Sequence, residues 1–257
     1  MSEQTSSPQS RVRGLFGKQS KQYARSSLLT DRENLALVMG LAGISEGDRV
    51  LDVATGTGYM AMAVADIGAE VIATDFTLEM LLEARAALEG QGKIELALTD
   101  ADRLAFSNDS FDVVTCRVAF HHFANPQLAI GEMSRVCKQG GRVVIMDVVS
   151  SEDKSKSDLH NKMGKLRDSS EVRQWQRSEI ERMVKETGLT VTEVESWSHV
   201  MAFDEWIRLG GADSETAERL REMMIDSMNG DKAGMKPEFR DGELVFTWTT
   251  GIIVARK

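Results

Sequence analysis

Residues 50–76, VLDVATGTGYMAMAVADIGAEVIATDF, constrain the fold more than any other stretch of this chain. An apolar strand carrying one acid, Asp52, runs into the loop Ala54-Thr55-Gly56-Thr57-Gly58. A short helix with an Ala/Met face follows from Tyr59 to about Ile67, and then a second strand, VIATD, ends in another acid, Asp75. Parallel strands need a crossover connection, here a helix, and such a unit buries its faces only within a larger, helix-covered sheet. Glycines in the loop let backbone approach a ligand, and an acid about 20 residues further on accepts bonds from ribose hydroxyls. The unit predicts a nucleotide-like ligand.

The rest of the chain repeats the alternation. Helical patterning begins near Arg11, pauses at Ser26-Ser27 and resumes in ENLALVMGLAG, where Leu35, Leu37, Val38 and Leu41 share a face and Gly43 offers a C-cap. LEMLLEARAALEG reads as a helix ending in Gly90, and PQLAIGEMSRVCKQGG as another. IELALTD, DVVTCRV and RVVIMDVV are apolar strands, so five strands alternate with helices as far as Val149. Beyond it come a polar helix, the amphipathic RSEIERMVKETG, a strand from LTVTEVESW, two helical stretches, and the closing strand ELVFTWTTGIIVAR. The pattern predicts a doubly wound α/β domain with a mostly parallel seven-stranded sheet and helical additions near the C-terminus. Residues 1–10, rich in Ser and Gln, are expected to be disordered at the tip.

Composition excludes several classes. The 31 basic and 40 acidic residues give a net charge of -9, and a nucleic-acid binder normally carries a basic surplus. Cys116 and Cys137 form neither a CxxC nor a Cys/His cluster, and His160 and His199 add no ligand spacing, so no metal site or disulfide framework is expected. The first residues lack a long apolar run, and no later run of about 18 apolar residues would span a bilayer. A cytoplasmic protein without stable membrane insertion, monomer or homodimer, is expected.

Gly56-Thr57-Gly58-Tyr59-Met60-Ala61 also satisfies GxGxxA, the dinucleotide fingerprint. Asp52 argues against it: an acid inside the strand suits a cationic amino-acid ligand and repels a pyrophosphate. Four stretches, VLDVATGTG, ATDFTLEML, TDADRLAFSNDSFDVVTCRVAFHHF and LAIGEMSRVCKQGGRVVIMD, resemble the class I S-adenosylmethionine-dependent methyltransferases. Within these, the chain is similar to the methyltransferase type 11 group that includes ubiquinone and menaquinone C-methyltransferases. The resemblance implies a Rossmann-like fold and S-adenosyl-L-methionine as cofactor, with S-adenosyl-L-homocysteine as product. It also implies residue roles. Asp52, Gly56, Thr57 and Gly58 match the loop holding the methionine moiety. Asp75 matches the ribose-binding acid, and Phe76 the apolar residue against adenine. Asp100 and Ala101 match the pair that binds the adenine amino group and ring nitrogen. Arg117 lines the methionine end through its backbone, and Tyr23 matches the aromatic position of an N-terminal helical lid. The resemblance implies a lid over 1–30 and a class I methyltransferase domain over 31–257, with additions at about 150–175 and 201–240. LRDSSEVRQW and LVFTWTTGIIVARK resemble C-terminal signatures of a subgroup that has Pro and His where this chain has Ser169 and Glu171.

Plainer readings stand beside these. Asp75 suits a helix N-cap, Asp100 a turn cap, and the basic run Arg11, Arg13, Lys18, Lys21 and Arg25 a solvated helix face. Adjacent residues on an extended segment point to opposite sides, so of His121-His122 one is expected in the core. The other, His122, is the candidate catalytic residue, facing substrate as a base or orienting donor. Trp175, Trp197, Trp206 and Met201, Met223, Met224 and Met228 either line an apolar substrate pocket or fill helix cores. The reading that best unites these features is direct methyl transfer to the O, N, S or C atom of a small, partly apolar organic molecule. An NAD(P)-dependent oxidoreductase, resting on GxGxxA and Asp75, and a non-catalytic S-adenosylmethionine-binding module are the alternatives.

Overall fold

The computed structural model describes residues 8–91 and 93–257. Of the tip expected to be disordered, residues 1–7 lie outside these, and residues 8–10 instead open the first helix. In chain order the elements are α1 (Pro8–Tyr23), α2 (Arg32–Ala42), β1 (Arg49–Val53), α3 (Tyr59–Asp66), β2 (Glu70–Asp75), α4 (Leu78–Ala87), β3 (Ile94–Leu98) and β4 (Phe111–Arg117). There follow α5 (Pro126–Val136), β5 (Cys137–Val148), α6 (Lys154–Arg167), α7 (Arg177–Glu186), β6 (Thr190–Ala202), α8 (Phe203–Gly210), α9 (Ser214–Ser227), β7 (Glu238–Arg240) and β8 (Glu243–Arg256).

The sheet order is β3-β2-β1-β4-β5-β8-β6. The first five of these strands are parallel, and β8 runs antiparallel between β5 and β6. Strand order reverses between β1 and β4, and a doubly wound sheet opens its ligand crevice at the carboxyl ends beside such a point. The expected mostly parallel seven-stranded, Rossmann-like sheet is therefore present. One apolar core lies on each sheet face: Phe111, Ile130, Met133 and Ile180 belong to one, Val38, Val64, Ala84 and Met146 to the other. A third core, built around Met163, Met201, Trp206, Met224 and Phe246, joins the C-terminal additions to the sheet.

Three boundaries differ from the sequence pattern. The helix from Pro126 ends at Val136, and Cys137 to Gly141 belong to β5. Gly140 has φ +74°, and a Cβ on Gly141 would lie 2.8 Å from the Asp112 carbonyl, so the two glycines let β5 irregularly meet β4, whose register shifts there. Strand β6 runs five residues beyond Trp197, to Ala202. Residues 238–240, expected within a helical addition, form β7, an eighth strand. Asp241-Gly242, both at positive φ (50° and 83°), makes the two-residue hairpin that returns the chain into β8.

Candidate active site

The loop after β1 turns through left-handed backbone at three positions: Ala54 (φ 55°), Gly56 (φ 56°) and Gly58 (φ 87°). A Cβ on Gly56 would meet nothing within 4 Å, so this backbone faces open space. Gly58 has another task, since a Cβ there would lie 3.0 Å from Leu88; it lets α3 pack on α4 and does not line the cavity. At the end of β4, Val118 also has φ 54°, a strained state for a β-branched residue. Sequence reading missed both strained residues. Ala54 carried a weak signal, as a small residue in the glycine-rich loop just ahead of the Gly56-x-Gly58 fingerprint, and Val118 carried none.

Asp52 and Asp75 lie on adjacent strands, with the register Asp52↔Ala73 placing both at the carboxyl end. Asp52 is 1 % exposed and accepts hydrogen bonds from the Thr55 hydroxyl (2.6 Å) and the Thr115 hydroxyl (2.8 Å). Burial pushes its carboxyl up to about 6, against the two hydroxyls and the Arg117 charge, which pull it down. Asp75 accepts from the Gly56 N–H (3.1 Å) and the Thr77 N–H (2.8 Å), one per carboxylate oxygen. Its carboxyl too is raised, by burial, despite these bonds. Asp75 thus serves the turn before α4 as well as the loop, but it is not the N-cap of α4, which is Thr77.

A cavity opens over these groups. Asp52, Gly56, Thr57, Asp75, Phe76 and Arg117 line it, together with Val12, Phe16 and Tyr23 from α1 and His122. A smaller neighbouring hollow shares Val12, Ala54, Phe76, His122 and Phe123 and adds Asp100 and Ala101. The structure therefore brings every predicted site residue except Gly58 to one continuous cleft. The Arg13 guanidinium lies over the Phe76 ring (5.2 Å), so this member of the basic run is engaged at the rim.

Arg117 acts mainly through its side chain. It is buried and donates to the Leu28 and Leu29 carbonyls (3.0 and 3.2 Å) and to Asn34 Oδ1 (2.9 Å). Burial lowers its guanidinium to about 10, against the charges of Asp52 and Asp31. The Tyr59 hydroxyl donates to the Ala24 carbonyl (2.7 Å). These bonds fasten the segment that connects α1 to α2.

His121-His122 does not lie on an extended segment as expected. Both sit in a single 3-10 turn, Phe120–His122, and their rings are 4.1 Å apart. The expected division still appears. His121 Nδ1 pairs with Asp147 Oδ1 at 2.7 Å, and His122 lines the cleft. Burial would lower His121, but the Asp147 charge and hydrogen bond outweigh it and hold the imidazole above its ordinary value. Burial, then the charge on His121, pushes His122 down to about 3. The loop 168–173 docks behind the pair, with the His121 carbonyl accepting from the Val172 and Arg173 N–H groups. Glu171, where the resembling subgroup has His, is buried against Arg167 (3.3 Å) and does not line the cleft. Ser169 is exposed, and its carbonyl accepts from Arg11 Nε (2.9 Å), tying this loop to α1. Met201, Met224 and Trp206 fill the third core, so the packing reading holds for them; the apolar lining comes instead from Val12, Phe16, Leu29, Met60, Met80 and Phe123.

Comparison with known proteins assigns the class. Residues 51–145 match the methyltransferase domain family. The uncharacterized methyltransferase YcgJ of Bacillus subtilis is 31% identical over 80% of this chain and 82% of its own length. A demethylmenaquinone methyltransferase of Clavibacter sepedonicus is 36% identical, over 53% of this chain and 57% of that protein, so the chain spans little more than half of it. The solved structure of a candidate methyltransferase from Bacillus halodurans C-125 superposes with TM-score 0.82 at 31% identity, covering 88% of this chain and 99% of that one. The chain belongs to the S-adenosylmethionine-dependent methyltransferases. This decides against the oxidoreductase alternative. Among the described residues no helix is long and apolar enough to cross a membrane.

Proposed function

We propose that this cleft binds S-adenosyl-L-methionine, and afterwards S-adenosyl-L-homocysteine, and that the acceptor is a small organic molecule with apolar surface. The observation that carries the reading is the pair of buried acids at the ends of adjacent strands, with a third, Asp100, in the adjoining hollow. The donor set fits such a ligand. Asp52 would face the ammonium of the methionine moiety, the open backbone at Gly56 and Thr57 would approach its chain, and Asp75 would accept from the ribose hydroxyls. Phe76 would lie against adenine, and Asp100 with Ala101 would meet its amino edge. Bound there, the donor supplies an already activated methyl group.

The chain's own work is then alignment and exclusion of water. Val12, Phe16 and Tyr23 place α1 along one wall of the cleft, and we read residues 1–30 as its lid. Arg117 and Tyr59 hold the connection to α2. His122 faces the acceptor. Apolar lining from Leu29, Met60, Met80 and Phe123 suits a partly apolar acceptor, and the net charge of -9 disfavours a polyanion.

Calorimetry with S-adenosylhomocysteine and with NADH tests the donor assignment. The first is expected to bind and the second not, because a pyrophosphate beside Asp52 meets a like charge. Tight NADH binding without S-adenosylhomocysteine binding contradicts it. A chain lacking residues 1–23 is expected to fold, since every strand begins after Gly47, yet to lose turnover. Full turnover in that chain removes the lid.

A further inference from the structure

Ser170 connects the cleft to a buried carboxylate that the sequence did not single out. Its hydroxyl lies 2.6 Å from Asp168 Oδ1 and 3.1 Å from His122 Nδ1, and all three side chains are buried. The Ser170 N–H also donates to Asp168 Oδ1 (2.8 Å). An ionised carboxylate only accepts, so the hydroxyl proton of Ser170 is committed to Asp168. Burial alone would raise the Asp168 carboxyl. The Arg167 guanidinium, 3.4 Å from Asp168 Oδ2, and the two bonds from Ser170 favour the ionised carboxylate.

With its proton so committed, Ser170 Oγ meets His122 as an acceptor, and Nδ1 must carry the hydrogen. The neutral imidazole is then fixed as its Nδ1–H tautomer, and Nε2 is left as a bare acceptor. The ring is packed in this pose. Phe16 meets it edge-on (5.0 Å, 88°), and His121, paired with Asp147, lies on another side. Protonation of the bare nitrogen is opposed, because burial and His121 both push His122 down. The sequence allowed His122 to act as a base or an orienting donor; the direction of these hydrogen bonds leaves Nε2 an acceptor.

We propose that His122 Nε2 accepts a hydrogen bond from a neutral O–H or N–H group of the methyl acceptor, and that Ser170 and Asp168 are the positioning residues that hold it in this state. This rests on reading the cleft as the methyl-transfer site. It narrows the substrate class to a partly apolar molecule bearing a hydroxyl or N–H beside the methylated atom, such as a phenol or enol. A carboxylate or thiolate would present a lone pair to a lone pair. Because the hydroxyl and the imidazole are both buried, a substrate lacking the donor would leave Nε2 unpaired, and such sites reject analogues strongly.

Imidazole 15N NMR reads the tautomer directly in the ligand-free protein. His122 is expected as Nδ1–H in the parent, and Ser170→Ala is expected to release it to the Nε2–H form that unconstrained histidine favours. The second arm titrates S-adenosylhomocysteine-loaded protein with phenol and with anisole, the same ring with and without a donor. Phenol is expected to bind about tenfold more tightly, the value of one net hydrogen bond, and Ser170→Ala is expected to abolish that preference. An Nε2–H tautomer in the parent overturns the proposal. So does equal affinity for the two probes, including binding of neither. Failure to load S-adenosylhomocysteine would instead contradict the donor assignment and leave the tautomer measurement intact.

Discussion

Asp75→Ala is expected to weaken S-adenosylhomocysteine binding by about 3–6 kcal/mol, two ribose bonds at about 1.5–3 kcal/mol each. That is roughly a hundredfold loss at the lower bound. The carboxylate is 7 % exposed, and each of its oxygens already accepts one backbone N–H, from Gly56 and from Thr77. Alanine therefore also frees two donors at the loop and at the start of α4, and the loop loses the anchor that shapes it for a ligand. A thermal melt of the ligand-free variant separates this from the binding loss. Asp75→Asn retains an acceptor oxygen, so it should melt closer to the parent and still bind weakly. A folded Asp75→Ala that binds like the parent contradicts the ribose assignment.

Asp52→Asn is expected to act in opposite directions on stability and on binding. The parent carboxyl titrates near 6 in the folded protein because of its burial, against an ordinary value of 3.8. At about pH 3 and below, the group is protonated in both folded and unfolded chains, and burial of charge costs nothing. As pH rises, the unfolded chain releases its proton first, so the folded state loses stability through the window from about 4 to 6. Above that window the accumulated cost is about 3 kcal/mol, at 1.36 kcal/mol per pKa unit. Asparagine does not titrate, so the variant should gain on the parent across this window and hold up to that advantage at neutral pH. It should bind the donor more weakly, having no charge for an ammonium. In the parent, donor binding should take up Asp52 in its ionised form and so release a proton below about pH 6. Urea unfolding of both proteins at about pH 4 and about pH 8 checks the sign. An advantage of the variant that does not grow with pH contradicts the burial account.

The sheet was legible because its signal is periodic. Strands such as RVVIMDVV and helices such as ENLALVMGLAG announce buried faces by composition alone, and Gly43 caps α2 in left-handed backbone as expected. What escaped was set by tertiary context. Residues 137–141 read as the end of a helix, yet Cys137 pairs with Phe111 of β4 and the glycines admit the irregular register before pairing resumes at Arg142. Asp241-Gly242 carried a hairpin signal that the surrounding helical pattern obscured. Met201, Met224 and Trp206 read equally as pocket or core, since periodicity says which face is buried and not against what.

The site divides similarly. Strand–loop–strand spacing singled out Asp52, Gly56 and Asp75, the family resemblance added Phe76 and Asp100, and all five line the cleft or its adjoining hollow. Phe16 was not found, because its place beside His122 depends on how α1 docks. Asp168 and Ser170 lie some 50 residues from His122, and nothing in LRDSSEVRQW states that its hydroxyl reaches an imidazole (48 residues separate Ser170 from His122).

Methyl transfer from labelled donor into separated RNA, protein and metabolite fractions of the source cell tests the central claim most directly. Apolar residues of α1 line the cleft together with the acids Asp52 and Asp75, so the label is predicted in the metabolite fraction, on a molecule carrying a hydroxyl or N–H. Label accumulating mainly in RNA or protein would contradict the account.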